Sequence, residues 1–323
     1  MVELINGDFP GMLNNFNYKY VLLGIALLYG SCTSKNDSSV LSDVFVHAIR
    51  PLSSVNLDAS LDENSGAIVW NDTLWLQNDS SEPILYGVDP SNGQIISKIE
   101  IAGLQIQDWE SLAHDEDFVY FGDFGNNSNY RANLRIFRLA KESILNGQIK
   151  LDTLRFFYED QQDYTYNETL ETDFDCESMV IIGDSIFLFT KQWTSQETAV
   201  YSLPKMPGDY CAKKIEQFKI DGLITEALKF PNENTIVLTG YNEWMNPFFV
   251  LLHAYDGSYF FSGNVIKIQA DLWMNQIEAI CLKNKYQCYV SSEGFLRMSP
   301  ELHVFDFEPY VDAARSLQTG IEN

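Results

Sequence analysis

Four glutamates recur in similar local settings: Glu110-Ser111-Leu112-Ala113, Glu177-Ser178-Met179, Glu226-Ala227-Leu228 and Glu278-Ala279-Ile280. Each opens a short apolar run that breaks at polar residues and resumes as a second run, closing near Asp123, Lys191, Tyr241 and Glu293 respectively. Ser65-Gly66-Ala67, leading to Asn78-Asp79, is a degenerate first copy without the glutamate. Carboxylates brought to a common axis repel: at ~6 Å and an effective dielectric of ~20, each like-charged pair costs about 3 kcal/mol. Such a ring survives by protonation, by pairing with a cation such as Lys191, or by coordinating a metal. Oxygen-only ligands select Ca²⁺ over zinc or copper. Ca²⁺ held by Glu110, Glu177, Glu226 and Glu278 is therefore the expected cofactor. The competing reading is that each glutamate accepts backbone N–H bonds from the neighbouring repeat and staples the ring.

The elements that must position these residues follow from the spacing. The copies are separated by 45 (65 to 110), 67 (110 to 177), 49 (177 to 226) and 52 (226 to 278) residues. Several short apolar runs per unit at that period are the pattern of β-propeller blades, and the acidic stretch 159–175 accounts for the long interval. The expected fold is all-β, a β-propeller of five blades, with six as the alternative. The last unit runs short of a strand, so a strand from the N-terminal segment, Val44 to Ile49, is expected to close the ring and remove a free edge. In each unit the residue opening the first strand and the residue closing the second lie at the same end of the hairpin. Glu110 is thereby matched with Asp123, Glu177 with Lys191, Glu226 with Tyr241 and Glu278 with Glu293.

Asp108, Trp109, Asp123, Asn126, Arg131, Lys191, Tyr241 and Glu293 are the candidate ligand-binding residues at that end. Gly122-Asp123-Phe124-Gly125-Asn126-Asn127 combines glycines for unusual dihedrals with amides for ligand contact or a plain turn. Trp109 is placed to stack on a ligand or to pack between blades. Arg131 and Lys191 either hold an anion or neutralise nearby carboxylates.

A net charge of −24 excludes nucleic acid and an anionic bilayer surface as partners. Tyr18-Lys19-Tyr20 and the apolar run Val21 to Leu28 read as a secretory signal, and Gly30-Ser31-Cys32 resembles a bacterial lipobox, the alternative being an ordinary signal peptide with a chance cysteine. The run is too short to span a bilayer. The division expected is 1–31 signal peptide, 32–42 lipidated Cys32 and tether, 43–310 propeller and 311–323 C-terminal tail. The product is an exported, monomeric lipoprotein of the outer membrane, touching the membrane through its lipid alone. Cys281 and Cys288 flank a turn, which allows a cross-strand disulfide or two buried thiols.

Asp108-Trp109-Glu110, Gly122-Asp123-x-Gly125-Asn126-Asn127, Arg131, Arg138, Phe189-Thr190-Lys191, Val200 to Pro204, Gln276-Ile277-Glu278-Ala279-Ile280 and Ser291-Ser292-Glu293-Gly294 resemble, in order, a family of exported bacterial propeller proteins. That family is akin to the SdiA-regulated and phytase-like esterase propellers. The resemblance spans about residues 60 to 305; it implies a propeller, is compatible with a central calcium, and supplies no reaction. Ser111 and Asn126 stand where that pattern has acidic residues. Two functions follow as expectations. One is a propeller holding a small-molecule or protein ligand over its calcium-bearing face. The alternative is a calcium-dependent hydrolase of phosphate or carboxylate esters, although the four histidines occupy no repeated motif end.

Overall fold

The computed structural model describes residues 48–79, 82–169, 171–295 and 297–320. The expected signal peptide, Cys32 and tether lie outside them, as do residues 44–47 of the expected closing strand. Among the described residues twenty strands carry almost all of the fold: β1 (Ser53–Asn56), β2 (Asn64–Trp70), β3 (Thr73–Asn78), β4 (Ile84–Asp89), β5 (Gln94–Glu100), β6 (Trp109–His114), β7 (Phe118–Asp123), β8 (Leu134–Ala140), β9 (Leu151–Tyr158), β10 (Asp175–Ile182), β11 (Ser185–Lys191), β12 (Glu197–Pro204), β13 (Gly208–Lys219), β14 (Leu223–Lys229), β15 (Thr235–Tyr241), β16 (Pro247–His253), β17 (Asn264–Gln269), β18 (Ile277–Asn284), β19 (Gln287–Ser292) and β20 (Glu301–Asp306). Three sheets have four strands each, ordered β2-β3-β4-β5, β14-β15-β16-β17 and β1-β20-β19-β18. A fourth sheet has eight strands, in which the meanders β6-β7-β8-β9 and β10-β11-β12-β13 are joined by a parallel pairing of β13 (Gly208–Lys219) with β9 (Leu151–Tyr158). The strand that completes the last sheet is β1 (Ser53–Asn56), paired with β20 (Glu301–Asp306). It lies later in the chain than the expected Val44 to Ile49, of which Ile49 instead bridges to Ala270. No helix among the described residues is long and apolar enough to cross a membrane; α1 (Lys141–Leu145) and α2 (Glu308–Gly320) are both peripheral connections or tails.

The first strands of the meanders are β2 (Asn64–Trp70), β6 (Trp109–His114), β10 (Asp175–Ile182), β14 (Leu223–Lys229) and β18 (Ile277–Asn284). Each lies beside the next, and β18 returns to β2. Meanders radiating from a closed cycle of inner strands define a β-propeller. Tight turns make this possible locally: Asn71 and Asp72, both at positive φ (51° and 56°), link β2 to β3 (Thr73–Asn78) as a two-residue hairpin whose twist suits the strands.

Apolar side chains alternate to both faces of each sheet and meet in the seams. Between the first and second meanders lie Trp75, Leu85, Trp109, Phe121 and Phe137. Phe156, Tyr158, Met179 and Tyr201 fill the next seam, and Phe249, Ile268, Val290 and Phe305 the seam beneath α2. At ~25 cal/mol per Å² of buried apolar surface, these seams supply the main drive for ring closure. Where seams narrow toward the axis, side chains must shrink. A Cβ on Gly66 would stand 2.8 Å from the backbone nitrogen of Leu112, so glycine there sets the approach of β2 to β6.

Cys281 and Cys288 are free and buried. The register pairs Cys281 with Tyr289 and Leu282 with Cys288. Side chains of directly opposed residues share a face and successive ones alternate, so the two thiols point to opposite faces of the sheet. Cys288 joins the seam with β16 and Cys281 the seam with β2.

Candidate functional site: an acid-lined channel mouth

Every inner strand carries a bulge at the same place. The register with the second strand shifts between Asn64 and Gly66, Trp109 and Ser111, Cys176 and Ser178, Ile224 and Glu226, and Ile277 and Ala279. The extra residues are Ser65, Glu110, Glu177, Thr225 and Glu278. A bulge kinks its strand and re-aims the side chain it carries, which is how equivalent residues come to face the axis. Glu226 is therefore not the counterpart of Glu110, Glu177 and Glu278; it lies one position further along, level with Ser111.

The environment of Glu226 differs accordingly. Ser111 Oγ donates to its carboxylate at 2.9 and 2.8 Å, and Ala227 N–H donates at 2.9 Å. The backbone amides of Met179 and Leu112 also donate to it. Burial raises its pKa well above the ordinary value against the pull of those bonds. Glu226 ties three inner strands together, as the stapling alternative required. The two hydroxyl members of the bulge ring also staple: Ser65 donates to Trp109 O at 2.7 Å and Thr225 to Ile277 O at 2.7 Å.

Glu110, Glu177 and Glu278 are buried and join a larger acidic group. Asp108 and Glu110 hydrogen-bond to each other, as do Asp175 and Glu177. Burial, then repulsion from Glu177 and Asp108, pushes Glu110 well above the ordinary carboxylate range. Burial and Asp175 push Asp108 up to about 6. Burial, then Glu278 and Asp79, raises Glu293. Burial raises Glu177, Asp175 and Glu278 too, with Lys191 opposing the rise in each. Asp79, Asp108 and Glu293 are the half-buried members, at the outer edge.

One ammonium stands inside this group. Lys191 Nζ lies 3.3 Å from Glu177, with the two side chains 6% and 8% exposed. Its other neighbours are the rings of Trp193 at 5.0 Å and Tyr241 at 5.3 Å, and Tyr241 also hydrogen-bonds Glu278. Burial works against the Lys191 charge, but Glu177 and Glu278 outweigh it and hold the ammonium above its usual pKa. Lys191, Tyr241 and Glu293 thus stand at the mouth where the hairpin geometry put them.

The remaining candidates build the wall. Asp123 is one residue short of the mouth: it pairs with Trp109, accepts from the amides of Gln107 and Asp108, and binds Arg131 (3.0 Å) and Arg135. Arg131, 2% exposed, also donates to the carbonyls of Gly125 and Asp123. It organises the loop after β7 (Phe118–Asp123), its two terminal nitrogens spent on Asp123 and the Gly125 carbonyl. Asn126 donates its N–H to Asp175 at 2.6 Å and accepts from Arg131 N, bracing one meander on the next. Trp109 is fully buried against Phe121; it packs in the seam and cannot stack on a ligand. Gly125 lies under the Asp108 and Glu110 carboxylates, and a Cβ there would come within 2.6 Å of Glu110 Oε1. The segment 159–169 with 171–174 folds over this loop: Gln161 and Thr172 bond Asn129, and Asn167 N–H donates to Ser128 O.

Asp175 was missed in the sequence, and Asp79, which closes the first hairpin opposite Ser65, was not counted among the ligand-binding residues. The signal for Asp175 was present, because Asp175-Cys176-Glu177 repeats the Asp-x-Glu of Asp108-Trp109-Glu110. As for the expected calcium, the donors are oxygens, but among the described residues no three acidic, histidine or cysteine side chains are gathered as a metal ion requires. The Lys191 ammonium sits among the nearest of them.

No protein-family model matches the chain, and no curated protein matches it in sequence. Solved structures match in shape only. A chain of the mitotic checkpoint complex gives a TM-score of 0.45 at 8% identity, covering 88% of this chain and 99% of that one. The GH43_1 enzyme from Xanthomonas citri complexed with xylose gives 0.44 at 12%, covering 79% and 89%. The RRP9 WD40 repeats give 0.37 at 10%, covering 75% and 67%. At those scores the propeller assignment stands on the strand topology described above, and none of these proteins' roles carries over.

Proposed function

We propose that this chain is a five-bladed propeller, exported as an outer-membrane lipoprotein through Cys32, that binds a positively charged ligand at its acid-lined mouth. Five blades are supported by the cycle β2-β6-β10-β14-β18. One observation carries the binding reading: Asp175, Glu177, Glu278 and Glu293 share the single ammonium of Lys191, Asp79, Asp108 and Glu110 join the same acidic group, and the adjoining Arg131 and Arg135 are engaged by Asp123. Buried like charges stay together only if they hold protons or gain counter-charge. A ligand bringing an ammonium or guanidinium supplies that charge and donates hydrogen bonds to carboxylates that otherwise hold protons. Ca²⁺ is the competing occupant, and it needs the carboxylates to draw together and Lys191 to withdraw.

Thermal shift and calorimetric titration with spermidine, and separately with CaCl₂ and EDTA, test the proposal. Stabilisation by spermidine, and none by sulfate, is expected; silence toward both cations rejects the binding reading. A second reading, hydrolysis of phosphate or carboxylate esters, draws on the Asp108–Glu110 pair, because a carboxyl titrating near 6 is suited to general acid–base work. Turnover in an ester panel that disappears in Asp108→Asn would favour it.

A further inference from the structure

The connections on the mouth side of β14–β18 repeat a short motif. Trp244-Met245-Asn246 and Trp273-Met274-Asn275 each place the methionine in the left-handed region, at φ 57° and 46°. A bulky residue there is strained, and such strain persists only where surrounding structure fixes it. Here the fixing bonds are visible. Asn242 Oδ1 accepts from the amides of Trp244 and Asn246, both at 3.0 Å. Asn275 N–H donates to Met245 O at 3.0 Å and ties the two connections together. The result is two indoles held out in solvent, Trp244 at 59% and Trp273 at 76% exposure.

These indoles flank one of the two sectors of the mouth that lack an acid in the bulge ring, the one where Thr225 stands in place of glutamate. Gln276, three residues after Trp273, reaches from this platform to the mouth. Its Nε2 contacts Tyr241 OH at 3.4 Å, and its Oε1 has no partner although the residue is only 7% exposed. An unpartnered buried acceptor beside Tyr241 calls for a donor from outside. The charge around it is negative: Glu243 and Asp271 are exposed on the same two connections, Asp271 being paired with Arg50, and Glu293 lies at the mouth. The carboxylates in the channel and the indoles outside it belong to different layers, so a single small cation cannot engage both.

We infer that this face docks an extended, basic segment of a partner protein. Its alkyl or guanidinium side chains lie on Trp244 and Trp273, and one lysine or arginine reaches Gln276 and the mouth carboxylates. Cation–π contact at exposed rings is worth ~0.5–1 kcal/mol, and more when desolvated. Lys191 between Trp193, Tyr241 and Glu177 is the same recognition made within the chain. The inference rests on the proposed cation-seeking mouth.

The test is fluorescence and calorimetric titration of the intact protein with a pentapeptide of alternating lysine and leucine, its glutamate counterpart, and spermidine. Wild type is expected to bind the lysine peptide, ignore the glutamate one, and bind spermidine more weakly. Trp244→Ala and Trp273→Ala, both at exposed positions, should each weaken the peptide roughly two- to tenfold and leave spermidine binding unchanged. Wild-type peptide affinity in both variants, or spermidine binding as tightly as the peptide, overturns the docking inference while leaving the mouth reading intact. Failure of both peptide and spermidine to bind removes both.

Discussion

Lys191→Met removes the ammonium while keeping most of the stem that packs against Trp193 and Tyr241. The separation of 3.3 Å from Glu177 gives a gross attraction of about 5 kcal/mol at an effective dielectric of ~20. Desolvation offsets part of this in the wild type, but removing one partner leaves the other charge buried, which typically costs about 3–5 kcal/mol. That loss is expected at pH 8. Burial holds the Glu177 pKa well above its ordinary value even beside Lys191, so at pH 5 the variant relieves itself by keeping a proton there. What is then lost is the ring contact, roughly 1–2 kcal/mol. Urea unfolding at the two pH values measures both numbers, and millimolar CaCl₂ should restore part of the pH 8 loss by supplying the missing charge. A loss of equal size at both pH values, or a larger one at pH 5, would refute the view that Lys191 is the internal counter-ion of the cluster.

Other outcomes follow from the same geometry. Glu226→Ala strands Ser111 Oγ and the amide of Ala227, so it should lower stability by about 2–3 kcal/mol without altering a spermidine titration at the mouth. Gly125→Ala drives a methyl into Asp108 and Glu110; about 1–3 kcal/mol of stability and most of the cation response should go together. The urea midpoint of the ligand-free wild type should fall as pH rises from ~4.5, where unfolded carboxyls release protons that the folded cluster retains, and Asp108 should give one inflection near 6. With Cys281 and Cys288 on opposite sheet faces, the melting temperature should be indifferent to reductant.

The architecture was legible because a blade is a local object: apolar runs of strand length, turn residues between them, and a period fixed by four strands. Glu110, Glu177 and Glu278 were legible for the same reason. Glu226 was misplaced because a bulge inserts one residue without a composition of its own. Glu226-Ala227-Leu228 imitates the motif while Thr225 occupies its place. Trp109 was ambiguous because position next to a mouth residue says nothing of which side of the strand it faces; alternation turns it into the seam when Glu110 turns to the axis. Arg131 shows the other limit. That it binds Asp123 and two carbonyls depends on how the loop 124–130 doubles back, which is a tertiary fact. The closing strand was expected from the N-terminal side and came from there, but at Ser53–Asn56, because β20 selects whichever segment reaches its free edge.

The most direct test of the central claim is the number of protons released when spermidine binds at pH 7, obtained calorimetrically from the same titration in buffers of different ionisation enthalpy. Carboxyls held protonated by burial and mutual repulsion must release protons to the buffer when a cation binds beside them, so net release is predicted, falling in Asp108→Asn. Binding with no proton release, or no binding at all, would contradict it.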